Sequence, residues 1–340
     1  MVCRDRHRLG LHLPMKILIT GGAGFLGQRL AHALLKIQLK QLVTDLVLAD
    51  IAPLRDTVLL TNARVRSVTG DLRHLLAEGV LQGVEGVFHL AAAVSGECEA
   101  DIDVGLRANL DTTRALLDAC RALKNPPKVV FSSSLAVYGG AMHGGPEVIA
   151  DNTLPMPQNS YGAQKFICEQ LIADYTRKGY LDGRSVRLPT VTVRPGKPNQ
   201  AASGFMSGII REPLAGVDAI CPVDPATGVW ITSPRYALAG LIAAYETPHE
   251  KWGSRIACNL PGLSVRVAEM IAALERRAGA QVSARVRVEK DATISRIVGG
   301  WPWRFDTARA LLLGLSGPAG IDDLVAEYVA DYPEAVAREA

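Results

Sequence analysis

The chain has no long apolar run. None approaches the roughly 20 residues that span a bilayer, so no membrane partner is expected. The N-terminal stretch MVCRDRHRLGLHLP is basic but lacks the extended hydrophobic segment of a secretory signal, and it reads as an extension outside the fold. There is no C-x-x-C. Cys3, Cys98, Cys120, Cys168, Cys221 and Cys258 are scattered, which indicates neither a disulfide framework nor a zinc site. Free thiols in a cytoplasmic protein, with no metal, are the expectation. A large excess of either charge is missing too. Lys and Arg number 37 against 34 Asp and Glu, leaving a formal net charge of +3 without a basic patch. No nucleic-acid partner is expected. No segment is of low complexity, and nothing repeats beyond alternating strands and helices. What remains is an ordinary soluble composition, 48% hydrophobic and 21% charged, over 340 residues. That length allows one large domain or two modest ones.

The stretch 15–50 organises the rest. Ile17-Leu18-Ile19 reads as a strand. Thr20-Gly21-Gly22-Ala23-Gly24-Phe25-Leu26-Gly27 follows as a glycine turn, and Leu26, Leu30, Ala33 and Leu34 then mark one side of a helix. A second apolar run, Leu46-Val47-Leu48-Ala49, ends in Asp50. Strand, glycine turn, helix, strand and acid make the unit that holds a dinucleotide. Gly21 permits a tight turn, Gly24 lets the backbone approach a pyrophosphate, and Gly27 lets the helix pack closely on the strand. Amides at the helix start, with the helix dipole, favour phosphate. The Asp50 carboxylate can accept from both ribose hydroxyls and repels a 2′-phosphate, so NAD is expected over NADP. The spacing is G-x-x-G-x-x-G, and the plain alternative is a structural glycine-rich turn.

A strand near 65–68 runs into Gly70-Asp71-Leu72. Asp71 can reach an adenine amino group or cap the following helix, and the two roles are compatible. The next strand, 84–90, is followed by Ala91, Ala92 and Ala93, which leave room for a cofactor. His89 lies inside that apolar strand and reads as a packed core residue. A helix is expected over 103–123, with Asn109 on the side bearing Leu106 and Leu110. Pro126-Pro127 ends it. Val129-Val130-Phe131 is a strand leading into Ser132-Ser133-Ser134. The order β-α-β-α-β-α-β implies a doubly wound parallel sheet with ligands at the strand carboxyl ends, where Gly21, Asp50, Ala91 and Ser134 lie. Tyr161 and Lys165 then share one face of a helix over 161–177. A nearby ammonium lowers a tyrosine pKa, which makes Tyr161 a base near neutral pH.

Together the glycine turn, Gly70-Asp71, His89-Leu90-Ala91-Ala92, Phe131-Ser132-Ser133-Ser134 with Val137-Tyr138-Gly139, and Tyr161-x-x-x-Lys165 resemble the extended short-chain dehydrogenase/reductases. The resemblance covers residues 15 to about 328. It implies an α/β fold: a Rossmann-type doubly wound parallel sheet with a smaller C-terminal substrate-binding subdomain. Residues 1–14 are then an extension, 15–195 the NAD-binding domain, and 196–340 mainly substrate-binding, with segments returning to the Rossmann core. It implies Tyr161 as catalytic base, Ser134 as the hydroxyl that orients the substrate oxygen, Lys165 on the nicotinamide ribose, and Asn109 as a brace on the active-site helix. Cofactor contacts are implied at Gly21, Gly24, Phe25, Leu26, Gly27, Asp50, Asp71, Leu72, Leu90, Ala91, Ala92, Asn109, Ser132, Tyr161, Lys165 and Pro189. A homodimer, paired through the helices 103–123 and 161–177, is implied as well.

The chain departs from the sugar-nucleotide members after Arg184, where it lacks their Asn-containing segment. Leu135-Ala136 stand where dehydratases carry an Asp-Glu pair, which disfavours dehydration. Ser95 and Trp301 look like substrate positions of members that oxidise L-threonine, although Trp301 also reads as core. The runs Arg194-Pro195-Gly196-Lys197-Pro198-Asn199 and Asn259-Leu260-Pro261-Gly262 look like members that oxidise a four-carbon hydroxy acid at C2. Substrate contacts are expected from Ser95, Ser134, Tyr161, Lys197, Asn199, Arg235 and Trp301. A substrate carboxylate needs a cation, and Arg194, Lys197, Arg235 and Arg304 are the candidates. Lys197, in a proline-bounded loop after a strand end, is favoured. The alternatives are a nucleotide-sugar 4-epimerase and a non-catalytic NAD-binding regulator.

Overall fold

The computed structural model describes residues 15–37, 39, 42–140, 145–196, 201–253 and 256–337. The extension expected at 1–14 lies outside them, as do Lys197 and Asn199. Six strands carry the architecture: β1 (Met15–Thr20), β2 (Val43–Asp50), β3 (Val65–Thr69), β4 (Gly86–His89), β5 (Lys128–Ser134) and β6 (Asp182–Leu188). A seventh, Cys258–Asn259, pairs with β6. The order is Cys258–Asn259, β6, β5, β4, β1, β2, β3, and every neighbouring pair is parallel. This is the doubly wound sheet expected from the strand–helix alternation.

A sheet buried on both faces needs apolar residues at consecutive positions. Ile17, Leu18 and Ile19 meet that need, each fully buried. Ile17, Ile19 and Phe88 face the helices Phe25–Lys36 and Pro234–Glu246, through Leu30, Leu34, Leu241 and Tyr245. Leu18, Val87 and Val129 face the other way, onto Leu116, Leu117 and Cys168. These last side chains belong to the helices Thr112–Ala122 and Ser160–Arg177. Each fully buried aliphatic side chain contributes about 1.5–3 kcal/mol.

A second core gathers Val193, Met206, Ile209, Val229, Ile231, Met270, Leu274, Leu324 and Tyr328. It carries a three-stranded sheet in the order Leu263–Arg266, Gly228–Thr232, Thr190–Val191. The first pair is antiparallel and the second parallel. Residues 234–246 and 258–259 lie with the first core and the large sheet. Among the described residues, no helix is long and apolar enough to cross a membrane.

Two elements differ from the sequence pattern. β5 continues through Ser132, Ser133 and Ser134, because those residues pair in register with Val186, Arg187 and Leu188 of β6. The helix expected over 103–123 is broken in type: Ile102–Gly105 leads into a π turn, Leu106–Asp111, and then the helix Thr112–Ala122. Asn109 sits buried in the π turn. Such turns insert a residue into an α-helix and re-aim the side chains beside it.

Candidate active site

The carboxyl ends of the parallel strands open into a cleft of about 900 Å³. Its lining runs from Asp50 and Asp71, past the glycine turn at β1 and Ala91 after β4, to Ser134 at β5 and Pro189 after β6. From β3 to β6 that is five strand spacings, roughly 24 Å at about 4.8 Å each. The length suits a dinucleotide with a small molecule beyond it.

The β1 end is a cradle that side chains would fill. Gly21 has φ +71°, and a Cβ there would stand 2.8 Å from the Ala91 amide nitrogen. A Cβ on Gly27 would collide with the Gly21 carbonyl oxygen. Gly24 caps the helix Phe25–Lys36 without a side-chain hydrogen bond, so the first-turn amides have no intrahelical partner. Asp50 closes the turn: Oδ2 accepts from the Ala23 amide at 3.0 Å and Oδ1 from the Ala52 amide at 3.0 Å. Each oxygen retains a lone pair for a ribose hydroxyl. Asp71 caps the helix Leu72–Ala77, accepting from the Arg73 amide at 2.9 Å. The Arg73 guanidinium beside it holds its carboxyl down at about 2. A pyrophosphate and a ribose fit these donors and acceptors.

At the other end, Asn159 caps the helix Ser160–Arg177 by accepting from the Gly162 amide at 2.8 Å. Gly162 lets that helix start against the Ala136 carbonyl, which a Cβ would hit. Tyr161 and Lys165 therefore rise from the first turns toward β5. Lys165 is buried; its Nζ donates to the Ser132 carbonyl at 2.8 Å and lies 4.5 Å from the Phe131 ring centre and 5.6 Å from that of Tyr161. Ser132, Ser133 and Ser134 all border the cleft, and the Ser133 hydroxyl donates to Glu169 behind it.

The charge pattern corrects one expectation. Tyr161 is not acidified by Lys165. Burial pushes its phenol up to about 12, opposed by a hydrogen bond from Ser134 and the positive charge of Arg194. The same burial pulls the Lys165 ammonium down to about 8. Lys165 reaches toward the Ser132 carbonyl instead of the phenol.

The cleft brings together Gly21, Gly24, Phe25, Leu26, Gly27, Asp50, Asp71, Leu72, Leu90, Ala91, Ala92, Ser95, Ser132, Ser134, Tyr161, Lys165, Pro189 and Trp301. Trp301 lines the cleft and also packs on the second core. Asn109 stands behind the lining. Its Oδ1 accepts from the Ala93 amide at 2.7 Å, and its Nδ2 donates to Gln164 Oε1 at 2.8 Å. Its carbonyl accepts from Thr113 Oγ1 at 2.5 Å. His89 is a buried core residue, as expected, bonded to Thr20 Oγ1 at 2.6 Å and Thr113 Oγ1 at 2.9 Å. Arg235 is outside the cleft: it is exposed and pairs with Glu327 at 3.5 Å. Arg304 pairs with Glu147 on the surface.

The sequence reading missed Glu99, whose Oε2 accepts from the Ser160 amide at 3.0 Å and fixes the start of the Tyr161 helix. Nothing in the local pattern marks it. It also missed Arg73 and Arg107 as cleft residues. Among the described residues, no group of three or more His, Cys, Asp and Glu is arranged to hold a metal ion.

Residues 17–224 match the model of the NAD dependent epimerase/dehydratase family. The chain belongs to that family. The motif resemblance to the extended short-chain dehydrogenase/reductases is thereby borne out. This family member is 51% identical over 322 residues to a D-erythronate dehydrogenase of Cupriavidus necator, covering 93% of this chain and 98% of the relative. It is 44% identical to a D-erythronate dehydrogenase of Haemophilus influenzae, covering 93% and 99%. Its fold superposes with a TM-score of 0.88 on a structure described as a nucleoside-diphosphate-sugar epimerase from Agrobacterium tumefaciens, at 39% identity over 95% of each chain. NAD is the cofactor of the family, and the cradle described above has the donors for it.

Proposed function

We propose that the protein is a dehydrogenase that oxidises D-erythronate at C2 to 2-dehydro-D-erythronate. The observation that carries this reading is the convergence of Ser134, Tyr161 and Lys165 at one end of a cleft whose other end cradles phosphate and ribose. The identity to two D-erythronate dehydrogenases over nearly their full length supports the choice of substrate.

NAD, when bound, supplies the hydride acceptor. First-turn amides of Phe25, Leu26 and Gly27 would hold its pyrophosphate, Asp50 the adenosine ribose and Lys165 the nicotinamide ribose. Ser134 Oγ holds the substrate C2 oxygen. Tyr161 Oη, once deprotonated to the phenolate, takes the proton from that oxygen as the C2–H bond breaks. The Ser134 hydrogen bond and the Arg194 charge both favour the deprotonated phenol against its burial. Asn109 and Glu99 position the Tyr161 helix. We assign 15–195 to the cofactor and 196–340 mainly to the substrate. The five described cysteines, all free and buried, support a cytoplasmic setting. Exposed Ile102, Val104 and Ile167 support a homodimer through the two helical faces that carry them.

A second reading, sugar-nucleotide epimerisation, is supported by the description of the Agrobacterium structure. The two differ in where the hydride ends. A dehydrogenase given NAD and D-erythronate accumulates NADH in proportion to oxidised acid. An epimerase given UDP-glucose forms UDP-galactose and accumulates none. NADH formation with D-erythronate, and no UDP-galactose, is the predicted result. The reverse pattern overturns the proposal.

A further inference from the structure

The cleft contains four basic side chains among its described lining residues: Arg73, Arg107, Lys165 and Arg194. Three are accounted for. Arg73 is held by both oxygens of Asp71. Lys165 donates to the Ser132 carbonyl. Arg107 is exposed on the π turn. Arg194 differs from all three. It is half-buried, and its guanidinium has no hydrogen-bonding or ion-pair partner among the described residues.

Its backbone, in contrast, is fixed. The Arg194 amide donates to Ser207 Oγ at 3.1 Å, Ser207 Oγ is bonded to Thr192 Oγ1 at 3.0 Å, and the Arg194 carbonyl accepts from Arg211 Nη1 at 2.7 Å. The fold holds the main chain rigidly and leaves the cation desolvated in the cleft wall. Burial and the neighbouring Arg211 both disfavour that charge, while Tyr161 favours it. A half-buried cation without a partner is partly desolvated at a cost, and a carboxylate supplied from outside offsets it.

We infer that Arg194 is the anion clamp of this site, taking the C1 carboxylate of a 2-hydroxy acid whose C2 oxygen rests against Ser134 and Tyr161. The inference rests on the hydroxy-acid reading given above and refines it. The chemistry of that substrate class sets the geometry. The carboxylate carbon is bonded directly to C2, so its cation must stand beside the proton acceptor, not at the adenosine end. Arg194 lines the cleft close enough to Tyr161 for each to shift the other's ionisation. A guanidinium can meet the two carboxylate oxygens with two parallel N–H donors, which a lysine cannot. Arg235 and Arg304 are excluded by their partners Glu327 and Glu147.

The test compares D-erythronate with its uncharged primary amide in the wild type, R194M, R194K and K197M. R194M is expected to raise KM for the acid by ~10²-fold or more and to change KM for the amide little, so acid-over-amide preference collapses, while kcat falls alike for both as Tyr161 loses the Arg194 charge. R194K is expected to retain part of that preference. NAD affinity and melting temperature, both unchanged, exclude misfolding as the cause. Calorimetric binding of D-erythronate to the NAD-loaded Y161F protein, with and without R194M, reads the clamp without turnover. Binding that depends on Arg194 in a wild type without turnover keeps the clamp and sinks the dehydrogenase reading. Wild-type turnover with full acid-over-amide preference in R194M overturns the clamp and leaves that reading intact. The same loss in K197M, with R194M normal, overturns it as well.

Discussion

On β4, His89 is held between the hydroxyls of Thr20 and Thr113. Thr113 spends its one proton on the Asn109 carbonyl, so it can only accept from His89 Nε2. Nδ1 is then the acceptor of the Thr20 hydroxyl, and the imidazole is neutral. Burial, with the Lys165 charge, pulls its pKa from 6.5 down to about 3. The unfolded chain therefore binds a proton that the folded chain refuses. Stability is lost as pH falls below 6.5, and the loss is of the order of a few kcal/mol once the folded group also titrates. Thermal unfolding of the wild type should decline between about pH 6.5 and 5, and H89Q should flatten that limb. An identical limb in both proteins would contradict the assignment. The core role of His89 was legible because an apolar strand surrounds it. The fate of Tyr161 was not. Spacing places Lys165 on the same helix face, but spacing carries no information about how deeply both are buried, and burial decides the direction of both shifts.

Behind the cleft, the helix Ser160–Arg177 is joined to β6 by a buried ion pair. Arg187 Nε donates to Glu169 Oε1 at 2.9 Å and Nη2 to Oε2 at 2.6 Å, with both side chains at most 3% exposed. Ser133 donates to the same carboxylate, and Arg187 also donates to the Tyr138 hydroxyl. Glu169 lies one helical turn beyond Lys165, so the pair fixes the axial position of the helix that carries Tyr161. Removing one partner strands a buried charge. E169Q and R187M should each lose about 3–5 kcal/mol of stability, and the double variant should lose less than their sum. Denaturant midpoints check this, and single variants with wild-type midpoints would refute it. No pattern in the sequence marks this pair, because its members come from a helix and a strand 18 residues apart and meet only when the sheet forms. The π turn is similar. The apolar periodicity reads through it as a continuous helix, and only the side-chain bonds of Asn109 to Ala93 and Gln164 show why the extra residue is accommodated.

Across the whole molecule, the large sheet was legible strand by strand, whereas of the second core the sequence indicated a smaller subdomain but not its strand pairing. Strands β1 to β5 alternate with helices at short range, so apolar runs and glycine turns specify their order. The sheet of the second core pairs Thr190–Val191 with Gly228–Thr232 and that with Leu263–Arg266, short strands far apart in the chain. Choosing among Arg194, Arg235 and Arg304 depended on knowing which of them find acidic partners, which is a property of the folded surface. The cleft lies where the two parts meet: the sheet supplies Ser134, Tyr161 and the cofactor cradle, and the loop after β6 supplies Arg194. All of this chemistry depends on one group. The most direct measurement is turnover of D-erythronate by Y161F beside its affinity for NAD. The account predicts a fall in kcat of ~10³-fold or more with unchanged NAD binding. Turnover by Y161F at the wild-type rate would contradict it.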